Sequence, residues 1–424
     1  MDNTNLLRSE SELAINEARR QKSERTKTLG APIQLAGKAL DIRVDGNVAW
    51  IAENTHVAKK IDLETGKILQ IYKGHTAPVT CLAFFDNDGG TGCRTILVTG
   101  SWDKTIRVWD TDSKDLICTT AAHDDFVKSL FVISSAKLLV SSSSDKTIRF
   151  WDLTDVVERK TLTPVGSLSG HTRPVECLAG TAQSDTSATL LTADTMGIIK
   201  AWHLEKEPDP QPRWRSTPRD TFNHHRTGVT EMYYGGGKIW TASSDETVQV
   251  TIYPSDPSST KPPPPLNHPK PVRAILPLSL TPLAEPYVVT AFGDVIRLYD
   301  VSTLREPEIL GEIDAHWHDV TAIKLWMRTS RDERGRMRIE PWIVSASLDG
   351  TIRKWRFSGE CAPAITLTPI PSLAAELAAS STENPAGKTQ AAVISPVPEP
   401  KGNGNLEEIT EEEERELAEL MEED

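Results

Sequence analysis

TGSWDKTIRVWD, running from Thr99 to Asp110, returns forty-two residues later as SSSSDKTIRFWD, Ser141 to Asp152, and again as SASLDGTIRKWR, Ser345 to Arg356. A unit that recurs at a near-constant spacing marks a repeat architecture. Each copy is too small to bury its apolar face alone and must pack on its neighbours. Within a copy, apolar residues alternate with polar ones. The runs Ile96 to Thr99 and Ile106 to Trp109 therefore read as half-buried strands joined by a turn.

A second landmark precedes each copy, a His placed four residues before a Val. It occurs as GHTAPV at Gly74, AHDDFV at Ala122, GHTRPV at Gly170, HHRTGV at His224, NHPKPV at Asn267 and AHWHDV at Ala315. The steps between His75, His123, His171, His225, His268 and His316 are 48, 48, 54, 43 and 48 residues. That is the length of a four-stranded unit with its loops. The downstream aromatic column reads Trp109, Trp151, Trp202, Thr251, Tyr299 and Trp355. One period earlier, VAWIAENTHVAKKIDLETG (Val48 to Gly66) keeps the strand–turn–strand rhythm without the His, the turn Asp or the Trp. It counts as a degenerate first unit, with Ile61 in the aromatic column.

On these residues the chain resembles the WD-repeat (beta-transducin-like) family, over about residues 31–358. The resemblance implies an all-β fold, a seven-bladed β-propeller whose radial closure leaves only short, protected edges. It also implies a structural role for the recurring polar letters. In this family a turn Asp, a His, a strand hydroxyl and a Trp indole form one hydrogen-bonded tetrad per blade. Full sets align as His75, Thr99, Asp103 and Trp109; His123, Ser141, Asp145 and Trp151; and His316, Ser345, Asp349 and Trp355. An enzyme needs one such set, and three argue for architecture. By the same alignment blade four has Met196 where the Asp belongs, blade five has Thr251 where the Trp belongs, and blade six is one residue short with Tyr299. Those three blades are expected to be softer.

Around the propeller (31–358) the chain divides into an N-terminal extension (1–30), an Ala/Pro/Ser linker (359–405) and an acidic end (406–424). Ser9 with Glu12 forms a capping box that opens a helix in the extension, and a basic run follows: Arg19, Arg20, Lys22, Arg25 and Lys27. The linker has no aromatic residue and cannot build a core, so it reads as disordered. Residues 407–424 hold eleven acids and one Arg, which leaves only about −3 of the net −13 for the rest. Thr410 with Glu413 caps the start of this acidic segment, and Leu417, Leu420 and Met421 share a face. It reads either as an amphipathic helix that docks a basic partner or as a solvating tail. Ile33 and Leu35 alternate ahead of blade one and are expected to close blade seven; Ala364 to Leu367 is the competing segment.

A propeller of this charge does not point to general nucleic-acid binding. Its 38% hydrophobic content contains no run of 18 apolar residues, so no membrane span is expected. The start is polar and unlike a secretory signal. Five cysteines (Cys81, Cys93, Cys118, Cys177, Cys361) show no paired spacing, which fits a reducing cytoplasm or nucleus. Cys81 and Cys177 fall at equivalent strand positions and read as core fillers. No cofactor or metal is expected. The chain lacks a Gly-rich phosphate loop, GxSxG and HExxH, and the pairs His224–His225 and His316–His318 each spend one His on a blade set.

Function must then come from a site on the fold. In the family the top face is built by the turn before each tetrad Asp and by the entry to each innermost strand. That mapping selects Trp102, Phe126, Lys128, Glu176, Arg273 and Asp319 as a partner-binding set. Trp102 is the distinctive member, because a tight turn does not require a Trp and exposed Trp anchors interfaces. On the opposite face MRTSRDERGRMRIE (327–340) carries Arg328, Arg331, Arg334, Arg336 and Arg338, a loop that could hold an acidic peptide, phosphate or RNA. The proline loop SSTKPPPPLNHPKP (258–271), taken to lie between blades five and six, reads as a polyproline II spacer rather than an SH3 ligand. The leading expectation is a non-enzymatic scaffold that binds peptide segments of other proteins and sits as a monomer in a larger complex. The alternatives are a ubiquitin-ligase substrate receptor and an RNA-associated assembly factor using the Arg loop. The first is disfavoured because Asp112 and Thr154 stand where such receptors often carry Arg.

Overall fold

The computed structural model describes residues 10–87, 94–207, 213–254, 262–331 and 336–357. Among them are seven four-stranded antiparallel sheets, six of them meanders running from an inner to an outer strand. Blade two shows the plan, with strands Val79–Asn87, Arg94–Ser101, Thr105–Asp110 and Leu116–Ala121. Inner strands bury small and branched residues such as Val79, Val127, Val175, Val229, Val272 and Val320, all fully buried, and the clusters they form continue from one blade into the next.

Blade seven breaks the meander. Its inner three strands are Val320–Arg331, Met337–Ser347 and Thr351–Arg356, and its fourth is Ile33–Gln34. Ile33 pairs with Ile352 and Gln34 with Thr351, and Leu35 N donates to Gly350 O at 2.8 Å. The N-terminal segment thus closes the ring, as its alternation suggests. The competing segment from Ala364, the acidic end and Cys361 lie outside the described residues, as do Ser9, Cys93 and Arg334.

Blade five has an outer strand of only two residues, Leu266–Asn267, paired with Thr247 and Val248. Upstream of Leu266 the chain is Pro262 to Pro265. Proline has no N–H to give to the ladder, so the run ends pairing there and blunts the edge.

The tetrads form as aligned in blades two, three and seven. His75 Nδ1 lies 2.8 Å from Asp103, its Nε2 2.7 Å from Thr99 Oγ1, and Trp109 Nε1 donates to the same hydroxyl at 3.0 Å. The equivalent His distances are 2.9 and 2.8 Å in blade three, and 2.8 and 2.8 Å in blade seven. Blade four corrects the alignment. Its carboxylate comes from Asp194, two residues before Met196, in the column where blades two, three, five and seven carry Ser101, Ser143, Ser243 and Ser347. Asp194 Oδ2 is 2.8 Å from His171 Nδ1, and Oδ1 accepts from the amides of Met196 and Ile198. Thr192 and Trp202 complete a full tetrad, so blade four is not weakened. Blade five keeps His225, Asp245 and Thr241 and lacks only the indole.

Blade six is the incomplete one. Its turn is shortened to Gly293-Asp294, so Asp294 does not reach His268, whose buried Nδ1 has no partner. His268 Nε2 meets Thr290 Oγ1 at 3.0 Å and Tyr299 OH at 3.2 Å. Burial, then the nearby Arg297 guanidinium, pushes His268 down to about 4. Burial also depresses His123, His225 and His316. A His depressed in the fold contributes stability above its unfolded value, near 6.5, and that contribution drains as pH falls toward the folded value. The melting temperature is therefore expected to fall between pH 6.5 and 4. A His268→Gln variant should lose less over that window, and parallel curves for the two proteins would reject the assignment.

Blade one has no tetrad. In the column of Asp194 it places Glu53, fully buried, whose Oε2 accepts from Lys59 Nζ at 2.6 Å and from Thr55 Oγ1 at 2.8 Å. A buried ion pair ties the second and third strands where other blades use the His–Asp pair.

Candidate partner-binding face

The loops entering each inner strand and the turns before each tetrad Asp meet on one face. A repeated backbone hydrogen bond holds them together. Trp102 N donates to Pro78 O, Ser144 N to Phe126 O, Thr195 N to Pro174 O, Ser244 N to Gly228 O, Gly293 N to Pro271 O and Leu348 N to Asp319 O, at 2.9 to 3.2 Å. The turn before the Asp and the residue before the strand Val are thus locked side by side in blades two to seven.

Trp102 of blade two and Phe126 of blade three come together across the blade boundary. Their rings stack at 5.3 Å between centroids with 28° between planes, and both are half-buried. The Phe126 backbone is held in its own turn, where Phe126 N donates to Asp125 Oδ1 at 2.8 Å. An aromatic pair fixed on a rigid turn presents apolar area with little rotamer freedom left to lose.

The four charged members of the sequence set do not join this pair. Lys128 and Glu176 form an ion pair at 3.1 Å between blades three and four, and Arg273 lies 4.0 Å from Asp319 between blades six and seven. They belong to a belt of contacts stitching the inner strands. Thr80 Oγ1 donates to Val127 O at 2.7 Å, Thr230 Oγ1 to Val272 O at 2.7 Å and Thr321 Oγ1 to Ala39 O at 2.8 Å. Cys177 Sγ, which reads from sequence as a filler, approaches Val229 O at 3.2 Å. Lys128, Glu176 and Arg273 also line the central channel, where Asp41, Arg43 and Tyr233 bound a cavity of about 270 Å³.

Sequence reasoning missed what crosses this channel. Lys324 of blade seven reaches past blade six to Glu231 Oε1 and Tyr233 OH of blade five, 2.7 Å from each. Glu231 Oε2 accepts from Ile275 N of blade six at 2.8 Å. Burial opposes the charge on Lys324, but Glu231 and then Tyr233 hold the ammonium above its ordinary value. Burial pushes Tyr233 up to about 12, so the phenol keeps its proton. The only signal in the chain was a charged residue in a strand position that alternation assigns to the interior.

On the other face the Arg-rich hairpin is largely self-satisfied. Arg328 pairs with Glu64 at 2.5 Å and lies over the Trp342 ring, and Arg328, Arg338 and Arg356 converge on the buried Glu340. Arg331 and Arg336 are exposed.

Comparison with known proteins agrees with this geometry. The family model "WD domain, G-beta repeat" matches residues 66–110 and 114–152. The uncharacterised WD repeat-containing protein C126.01c of Schizosaccharomyces pombe is 29% identical over 360 residues, 81% of this chain and 87% of its own length. The chain carries WD repeats. Two further relatives match in part. The mRNA export factor GLE2 of Chaetomium thermophilum is 36% identical over 103 residues, and the ribosome biogenesis protein YTM1 of Coccidioides immitis 28% over 155 residues. These cover 23% and 36% of the WD-repeat chain, and 28% of each relative. WD-repeat propellers generally serve as platforms for other proteins. Among the described residues no helix is long and apolar enough to cross a membrane.

Proposed function

We propose that this WD-repeat protein is a non-enzymatic scaffold that assembles a multi-protein complex by binding peptide segments of its partners on the top face. The observation that carries the reading is the stacked Trp102–Phe126 pair, an aromatic anchor that neither turn needs for its own conformation. Lys128 and Glu176 support it indirectly, by tying blade three, which carries Phe126, to blade four; Arg273 and Asp319 tie blades six and seven. The relatives named for mRNA export and ribosome biogenesis favour a nuclear or cytoplasmic assembly role. Capture of a basic partner by the acidic segment 406–424 is a further part of this proposal.

A second reading has one observation in its favour. The exposed Arg331 and Arg336 stand on the hairpin surface and add positive charge there that an anionic partner such as RNA would meet. A ubiquitin-ligase receptor role has no comparable observation.

Co-purification of tagged wild type against Trp102→Ala with Phe126→Ala tests the first reading. Both side chains are half-exposed, so melting should shift by less than about 1–2 kcal/mol. At least one partner should be lost, with a drop of tenfold or more for a hot-spot pair. Retention of every partner by a folded double variant rejects the top-face anchor. RNA in the wild-type material that disappears in Arg331→Glu with Arg336→Glu would favour the second reading.

A further inference from the structure

Helix α1 (Glu10–Thr26) is docked on blades six and seven. Its less exposed positions are Arg19, Lys22, Ser23 and Thr26, the i, i+3, i+4, i+7 stripe of one helix face. Lys22 Nζ lies 2.5 Å from Asp294 of blade six and also meets Asp314 at the entry to blade seven. Arg25 reaches Asp314, and Lys270 holds Asp294 from the other side at 3.1 Å. The buried Arg353 donates to the carbonyls of Thr26 and Leu29, the latter at 2.8 Å. Gly30 then turns the chain with φ of +66°, where a Cβ would fall 2.9 Å from the Trp355 ring. Asp294 is free to hold Lys22 because the shortened blade-six turn has withdrawn it from His268.

Ser23 stands on the docked stripe between Lys22 and Thr26, directly after Arg19, Arg20, Gln21 and Lys22. We propose that Ser23 is a phosphorylation site for a basic-directed protein kinase, and that its modification detaches α1 from blades six and seven. Cations one, three and four residues before a hydroxyl suit the acidic substrate groove of such a kinase. In the transfer, Ser23 Oγ forms a bond to the γ-phosphorus of ATP, the bond from that phosphorus to the β,γ-bridging oxygen breaks, ADP leaves, and the hydroxyl proton passes to the kinase base.

Three effects then oppose docking. The phosphate places about two negative charges beside Asp294 and Asp314. It competes with them for Lys22 and for Arg19 one turn back. It also lies in the last turn of α1, where the helix dipole disfavours an anion. Because Ser23 faces the propeller, the kinase acts on the transiently released segment, and the phosphate blocks its return.

The test uses the full chain with MgATP and the catalytic subunit of a basic-directed kinase. The site is read by mass spectrometry against Ser23→Ala, and α1 by hydrogen exchange. Phosphate is expected on Ser23, with an initial rate several-fold higher in Asp294→Asn with Asp314→Asn, where the helix is loosened. Asp314→Asn alone serves if the double variant disturbs blade six, and exchange in the blade-two strands reports the fold. The phosphorylated chain should lose protection in residues 15–26 by about tenfold or more while the propeller strands keep theirs. Failure to modify Ser23 in a folded, loosened variant overturns the site. Equal rates in wild type and variant overturn the shielding, and unchanged α1 protection after full modification overturns the detachment.

Discussion

Asp194→Ala is expected to destabilise the propeller by about 3–4 kcal/mol, and Met196→Ala by less than about 0.5 kcal/mol. The asymmetry follows from what each side chain touches. Asp194 is almost fully buried and satisfies His171 Nδ1 and two backbone amides. Its removal strands one buried and two part-buried donors, and a buried group costs about 1–3 kcal/mol when left without a partner, a part-buried one less because water reaches it. Met196 is half-exposed and donates only its backbone N–H. Asp194→Ser with Met196→Asp would rebuild the arrangement of blades two and three, and most of the loss should return. Denaturant midpoints for the four proteins decide the matter. Equal losses for the two single variants, or no recovery in the swapped one, would show that the carboxylate is not the organising group of blade four.

Glu53→Ala should be as damaging, at about 3–5 kcal/mol, because it leaves the buried Lys59 ammonium uncompensated. Lys59 side-chain exposure is only 7% and that of Glu53 is 0%, so water cannot replace the partner without opening the turn. Glu53→Leu with Lys59→Met removes both charges and their desolvation together. Buried ion pairs replaced by apolar residues of similar volume are often neutral or better, so the double variant should melt near the wild type. A single variant as stable as the double would mean that the pair is not desolvated as a unit.

Both residues also show how far the letters could be followed. The blades were legible because their His, Asp and Trp recur at matching offsets, and blades two to seven were placed by that register alone. A column reading fails when a role moves between columns. Asp194 and Glu53 occupy the position of Ser101, and from the sequence alone an acid there looks like an interruption of the motif. In space the same position faces the His–hydroxyl network, and a longer carboxylate can reach it. The candidate site divided in a similar way. Trp102 and Phe126 could be paired in advance because both lie at fixed offsets in neighbouring repeats. The partners of Lys128, Glu176, Arg273 and Asp319 could not, since a side chain just after the strand Val can point to solvent or to the next blade with the same letters. Docking of α1 had no local signal at all. Lys22 and Asp294 are 272 positions apart, and only the shortened turn of blade six hints that Asp294 is available.

The two-residue strand that closes blade seven carries a consequence for biosynthesis. Ile33 is made first, and its partner Ile352 some 320 residues later. At about 5–20 residues per second that is a wait of roughly 15–65 s. During that time blades one to six can form, while the open ring exposes the inner edge of blade one and the apolar face that blade seven will cover. The nascent protein is therefore an unclosed arc from the making of Ile33 until that of Ile352, and its last blade completes only then. Chaperone engagement should concentrate on that interval, and any delay in making residues 320–356 prolongs it.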